Sequence, residues 1–404
     1  MTSGEMQARQ ALSPTTSVPA SIQYALAKRL RQRGGIARGG RAVPSRMDTA
    51  AQRTAPRAVG RTAVLGAGSW GTALAYSLAR NGHPVTLWAR REDAAREIQT
   101  SRYNAQYLPD AQLPDCLRAT SDLHGAIDDA DVWLFAVPSQ HVREVAAGLA
   151  ERAGEPEAIV SVAKGIENST LLTTSGVLRA VLPEAPVERV GVLYGPSHAE
   201  EVALGQPTSV VVSLADEPTA EAVQALFMAP SLRVYTNPDL IGVEVAGSVK
   251  NVMALAAGMG DGLGLGDNAK AALVTRGLAE ITRLGLALGA EAHTFAGLAG
   301  LGDLVVTCFS QHSRNRRFGE MIGAGKTLEE ASAAMTMVAE GVKTTQSVRQ
   351  LAAQLGIEMP ISEAVGRVLA GETDPREEVR DLMTRDPKHE AAHLDGSAFA
   401  RAFP

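Results

Sequence analysis

One short stretch constrains this chain more than any other. Arg61-Thr62-Ala63-Val64-Leu65 is an apolar β-type run, and Gly66-Ala67-Gly68-Ser69-Trp70-Gly71 follows it at once. Thr72 to Ala79 then reads as a helix that Asn81-Gly82 closes. A bare GxGxxG is a weak signal, but between a strand and a helix it specifies a βαβ entry turn. Gly66 permits the tight turn, Gly68 leaves room for a pyrophosphate to approach the backbone, and Gly71 lets the helix pack closely on its strand. The first helical N–H groups, unpaired and at the positive end of the helix dipole, favour phosphate. This part of the chain is predicted to bind a dinucleotide.

Pro84 to Ala89 forms the second strand. An NAD-selective site usually carries Asp or Glu about 20 residues beyond the motif, on the ribose hydroxyl; Arg90-Arg91 stand there instead. Guanidinium groups fork onto phosphate, so NADP(H) is the expected cofactor. NAD(H) use stays open, as does the reading of these arginines as solvated surface charge. Further strands are predicted at 131–137, 158–163, 188–194, 207–213 and 232–236, separated by helical patterns, with an irregular stretch at 102–119. The alternation indicates an α/β fold, a Rossmann-like doubly wound parallel sheet. From about 239 to 385 the chain turns helical, with one strand-like patch at 303–309. The expected organisation is a basic extension (1–60), a dinucleotide-binding domain (61–237), an all-helical C-terminal substrate domain (238–385) and a tail (386–404).

Composition narrows the function classes. The chain has 404 residues, 45% of them hydrophobic, enough for a sizeable core. A net charge of -5 gives no basis for general nucleic-acid affinity. Cys116 and Cys308 are too far apart for a CxxC pair, and no His/Cys/carboxylate cluster has ligand spacing, so no metal is expected. No run of 18 or more purely apolar residues suggests a membrane span, and a cytoplasmic location is expected. Residues 1–60 carry ten Lys/Arg against Glu5 and Asp48. They read as a solvated tail or an over-long start before Met47, with an organelle transit peptide as the alternative.

Chemistry-bearing residues gather at predicted strand ends. Val137-Pro138-Ser139, Val162-Ala163-Lys164-Gly165 and Tyr194-Gly195-Pro196-Ser197-His198-Ala199 each close a strand at the carboxyl edge, where such sheets bind ligands. In the helical half, Lys250 and Asn251 interrupt an apolar helix, 243–259. A buried ammonium without a partner costs several kcal/mol or loses its proton. Glu244, six residues earlier, lies about 240° around a helix and is no obvious partner. Lys250 therefore either faces a polar cleft or snorkels. Asp303 is a lone carboxylate in a Gly-rich apolar loop, either a site residue or a loop cap. Ser313-Arg314-Asn315 opens a helix, and arginine beside helix N-terminal amides suits a phosphate.

Six motifs now stand in order: Gly66 to Ala75, Ser161 to Glu167, Gly195 to Ala199, Val249 to Ala254, Gly302 to Thr307 and Ser313 to Asn315. Together they resemble the bacterial NAD(P)-dependent glycerol-3-phosphate dehydrogenases, from about residue 61 to 385. The resemblance implies reversible reduction of dihydroxyacetone phosphate to sn-glycerol 3-phosphate, supplying phospholipid synthesis. It implies Lys250 as proton donor, with Lys164 and Asp303 in the same catalytic site. Gly195, Ser197, Ser313, Arg314 and Asn315 would hold substrate with them. Gly66, Gly68, Ser69, Trp70, Gly71, Arg90, Arg91, Lys164, Ala199, Arg314, Val338 and Glu340 would meet the cofactor. Besides the small-molecule substrate, a homodimer is the partner to test for. Two rivals remain at this stage: a β-hydroxyacid dehydrogenase, with Arg314 as carboxylate clamp, and a dinucleotide-binding redox sensor without turnover, which would need no lysine at 250.

Overall fold

The computed structural model describes residues 59–151, 156–335, 339–387 and 389–390. The expectations for most of the basic extension, for the end of the tail and for Val338 lie outside them. Eight strands form one sheet: β1 (Thr62–Leu65), β2 (Val85–Trp88), β3 (Leu117–Thr120), β4 (Val132–Phe135), β5 (Ala158–Ser161), β6 (Val190–Tyr194), β7 (Thr208–Ser213) and β8 (Leu232–Thr236), in the order β3-β2-β1-β4-β5-β6-β7-β8. β1 pairs in parallel with both β2 and β4, Leu65 facing Trp88 and Phe135. The connections therefore reverse direction at β1, the crevice where doubly wound sheets take ligands. The central strands are buried on both faces, which is why they read as continuous apolar runs rather than alternating ones.

Three local expectations need correction. The stretch 102–119 contains a strand: β3 pairs with β2. With only four residues and an exposed Arg118, it has too little apolar pattern to stand out from its Pro-containing surroundings. The sheet is also not wholly parallel, because β6 and β7 run antiparallel. The patch 303–309 is helical despite its β-branched residues. Asp303, Leu304, Thr307 and Cys308 are its buried positions, spaced as one face of a helix, so packing overrides the weak β propensity.

The helices that bear on the site are α1 (Ser69–Arg80), α2 (Thr174–Val181), α3 (Ala199–Ala203), α4 (Leu240–Gly262), α5 (Asp267–Ala287), α6 (Asp303–Phe309), α7 (Arg314–Gly323), α8 (Glu340–Leu355) and α9 (Pro360–Leu369). α4 is the axis of the helical half. Among the described residues it alone has the length and mean hydropathy to cross a bilayer, although Glu244, Lys250 and Asn251 interrupt it. Yet 89% of its most apolar window is buried within the protein. It packs against α7 with almost no side chain between. A Cβ at Gly258 would lie 1.9 Å from the Arg316 carbonyl oxygen, and one at Gly319 2.1 Å from that of Leu255. Glycine on both helices is thus what allows α7 to approach α4 and bring its amino end beside the middle of α4.

Candidate active site

The cofactor turn has the geometry its sequence requires. Gly66 adopts φ +128°, and a Cβ there would meet the Ala136 carbonyl carbon at 2.7 Å. At Gly71 a Cβ would strike the Gly66 carbonyl oxygen at 2.0 Å, whereas around Gly68 nothing lies within 4 Å. The turn is therefore closed where helix meets strand and open where a pyrophosphate would pass. Gly68 caps α1 and offers no side chain to its N–H groups. The Trp70 indole N–H is buried with no partner among the described residues. Open backbone at Gly68 and the unpartnered Trp70 indole beside it fit a dinucleotide phosphate. Arg90 and Arg91 are exposed just beyond β2, and Arg91 bonds Gln106 at 3.2 Å. Ala199, the first residue of α3, is buried in an apolar cluster with Ala73 of α1 and Leu108, against which Trp70 packs. It thus supports the wall beside the turn.

From the edges of the sheet and the helical half, three charged side chains converge. Lys164 follows β5 and donates to the Gly195 carbonyl at 2.9 Å and to Asp303 Oδ2 at 2.6 Å. Lys250, in the middle of α4, donates to Asp303 Oδ1 and to Thr307 Oγ1. Asp303 is 1% exposed and Lys250 6%. Both ammoniums thus share one carboxylate, which is the partner the sequence left unnamed. A single turn of π-helix, Leu298–Gly302, runs into α6 and delivers Asp303 to this point. Such turns recur at functional sites.

Burial pushes the Lys250 ammonium down to about 8, and the second ammonium at Lys164 acts the same way; Asp303 opposes both. An amine poised near neutral pH can give up and regain a proton readily. The Cys308 thiol behind it is buried and raised to about 12, so it stays protonated.

A chain of amides ties the cluster to its surroundings. Asn251 Nδ2 donates to the Lys164 carbonyl at 3.3 Å, Asn315 Nδ2 donates to Asn251 Oδ1 at 3.0 Å, and the Gly341 N–H donates to Asn315 Oδ1 at 2.9 Å. Ser313 caps α7, accepting from the Arg316 N–H at 3.2 Å, and its hydroxyl proton remains available to a ligand. Arg314 is exposed at the first position of α7. It is close enough to stabilise the charge of Glu340, whose carboxyl is pushed up by burial and accepts from the Ser139 N–H at 2.7 Å. Ser197 Oγ donates to the Gly195 carbonyl at 3.0 Å, and Gly195 itself has φ +139°.

The structure thus brings Lys164, Gly195, Ser197, Lys250, Asp303 and, through Asn251, Asn315 into one hydrogen-bonded cluster where the carboxyl edge of the sheet meets α4, α6 and α7, with Ser313, Arg314 and Glu340 next to Asn315 and Gly341. Sequence reasoning missed Thr307, one turn after Asp303 and on the same face of α6. It also gave no role to Tyr194, whose hydroxyl donates to the Ala163 carbonyl and whose ring underlies Lys164 at 5.7 Å. Among the described residues, no three His, Cys, Asp or Glu side chains group as a metal site.

Two family descriptions match the chain in tandem: NAD-dependent glycerol-3-phosphate dehydrogenase N-terminus over residues 61–220, and the C-terminus of the same family over 239–380. The chain belongs to the NAD-dependent glycerol-3-phosphate dehydrogenase family. It is 57% identical over 327 residues to a Salinibacter ruber protein named glycerol-3-phosphate dehydrogenase [NAD(P)+] 2, covering 81% of this chain and 95% of that one. A Chlorobium luteolum protein named glycerol-3-phosphate dehydrogenase [NAD(P)+] is 52% identical, covering 81% and 98%. A crystal structure of glycerol-3-phosphate dehydrogenase from Coxiella burnetii superposes with TM-score 0.78 at 40% identity, over 81% of this chain and all of that one. The Coxiella structure thus shares this chain's architecture of a mostly parallel sheet followed by a helical domain.

Proposed function

We propose that the charged cluster carries out the reaction of an NAD(P)-dependent sn-glycerol-3-phosphate dehydrogenase, with Lys250 as proton donor. The chain is an oxidoreductase of this family. It reduces dihydroxyacetone phosphate reversibly to sn-glycerol 3-phosphate, a reaction that supplies glycerophospholipid synthesis. The bound nicotinamide supplies or takes the hydride. The observation that carries the site assignment is one buried carboxylate shared by the buried ammonium of Lys250 and the part-buried ammonium of Lys164, at the carboxyl edge of the sheet.

As the ketone becomes an alcohol, negative charge develops on its oxygen. Lys250, donating there, stabilises that charge and then completes the alcohol by giving up its proton. In the oxidative direction the neutral amine takes the proton back. Asp303 keeps Lys250 protonated against burial and orients it, and Thr307 accepts a second N–H, which leaves the third for the ketone oxygen. Lys164 is anchored by Asp303 and the Gly195 carbonyl, so it lines the same space with little freedom. The amino end of α7, with Ser313, Arg314 and Asn315, suits the phosphate, whose binding energy positions the ketone without taking part in the chemistry. Gly195 and Ser197 form the opposite wall.

Arg90 and Arg91 support a preference for NADP(H) through a 2′-phosphate contact, NAD(H) remaining a substrate. Arg90 is the stronger candidate, since Arg91 is bonded to Gln106. Burial of α4 within the fold fits a core helix rather than a membrane span; a cytoplasmic location and a homodimer are proposed from the family resemblance.

Turnover with dihydroxyacetone phosphate, compared with several keto acids, tests the substrate; much faster turnover of a keto acid would overturn it. Lys250→Ala is expected to lose at least about 100-fold in turnover, the usual size of a general acid contribution, while cofactor affinity is retained. Near-normal turnover in that variant would remove Lys250 from its role.

A further inference from the structure

His198 lies between Ser197 and α3, on the turn that follows β6. Its Nε2 is buried and has no hydrogen-bond partner among the described residues. An orphaned polar atom of this kind costs free energy unless something else satisfies it. The electrostatic surroundings of this imidazole are the site itself. Burial, Lys250, His312 and Lys164 together hold it down at about 4, with Asp303 opposing. At neutral pH the ring is uncharged, so it adds no third cation beside the ammoniums of Lys164 and Lys250. It still has one N–H donor to offer.

The other side of the ring indicates which part of the substrate it meets. His312 stands opposite, ring centroids 5.6 Å apart, and is the residue immediately before Ser313, the cap of α7. His198 thus extends from the sheet edge toward the helix end that suits a phosphate. Ser197, its neighbour, already donates its hydroxyl proton to the Gly195 carbonyl and cannot supply the same donor.

Resting on the dehydrogenase reading above, we propose that His198 is a substrate-contacting residue whose Nε2–H donates to a phosphoryl oxygen of the triose phosphate, opposite Arg314 and the amino end of α7. An N–H to a dianionic oxygen is a charge-assisted bond, stronger than one between neutral groups. The contact satisfies the orphaned nitrogen only when substrate is present, so its free energy goes wholly to binding.

The test uses the full chain with His198→Phe, which removes the donor, and His198→Gln, whose amide nitrogen reaches a similar position. Loss of a hydrogen bond to a charged group predicts a fall of roughly 10- to 100-fold in kcat/KM for dihydroxyacetone phosphate in the Phe variant. The loss should lie mainly in KM, with KM for NADPH unchanged and partial recovery in the Gln variant. Inorganic phosphate, as a competitive inhibitor against the triose, should weaken in the same proportion. Discrimination between dihydroxyacetone phosphate and its 1-deoxy analogue should stay as in the parent. Undiminished phosphate inhibition in the Phe variant would overturn the proposal, and so would loss of the 1-deoxy discrimination, which would put the contact at the hydroxyl end. Matching losses in thermal midpoint and in KM for NADPH in both variants would mark a structural role and overturn it too. If the parent itself fails to reduce dihydroxyacetone phosphate, the dehydrogenase reading falls. If the parent reduces it and the Phe variant is unimpaired, only the His198 contact falls.

Discussion

Asp303→Asn is the substitution that best separates electrostatics from geometry in this site. The side chain keeps its shape, but one oxygen becomes an NH2 group and the negative charge between Lys164 and Lys250 disappears. Asp303 is the main influence keeping the Lys250 ammonium charged against its burial. Removing an opposite charge at contact distance lowers such a group by about 1–3 pK units. Starting from about 8, a fall of about two units reduces the protonated fraction at about pH 7.5 from roughly three-quarters to roughly 3%. Ketone reduction should therefore fall about 25-fold at that pH by this route alone. The diagnostic is the pH profile of initial rates of NADPH oxidation at saturating dihydroxyacetone phosphate. The descending limb, expected near 8 in the parent, should move to lower pH, and the variant should regain much of its rate as the buffer is acidified. Oxidation of sn-glycerol 3-phosphate needs the neutral amine, so its ascending limb should move to lower pH as well. A uniform loss with no displacement of either limb would refute the reasoning, showing that Asp303 acts by position and not by charge.

Other consequences are measurable. Arg90→Ser should raise KM for NADPH about tenfold more than KM for NADH, the effect of one lost charge-assisted contact; equal effects on both would count against a 2′-phosphate contact. Gly258→Ala should lower the thermal midpoint by an overpacking cost of about 1–3 kcal/mol or more, because the added carbon has backbone and not a yielding side chain in front of it. An unchanged midpoint would mean that α7 can shift freely along α4. Glu280 in α5 is buried and pushed up to about 7 while accepting from the Ile361 N–H at 2.7 Å, at the start of α9. A carboxyl raised above its unfolded value is protonated in the fold where it is ionised in the open chain. Stability should therefore decline as pH rises from about 4.5 to about 7, by up to about 3 kcal/mol. Glu280→Gln should flatten that slope in thermal unfolding at several pH values; an identical slope would exclude Glu280 as its source.

Much of this protein was legible along the chain because its decisive signals are local. A glycine turn between a strand and a helix can be read without knowing the fold, since the positive φ of Gly66 and the approach of Gly71 to the Gly66 carbonyl lie within the turn itself, although the Ala136 backbone that also crowds Gly66 comes from a distant strand end. The buried strands announced themselves as apolar runs, and Lys250 stood out because a charge in an apolar helix needs a reason. What the chain alone left open was the reason: Asp303 is 53 residues away from Lys250 and 139 from Lys164. Only the packing of α4 and α6 against the sheet edge turns a lone loop carboxylate into the shared partner of two ammoniums. The same holds for β3 and for the helical state of 303–309, where pairing and burial overrule a weak local pattern, and for the antiparallel β7, whose direction no periodicity encodes. Hydrophobic spacing specifies which face a segment buries; which distant group it meets there is decided when the segments pack.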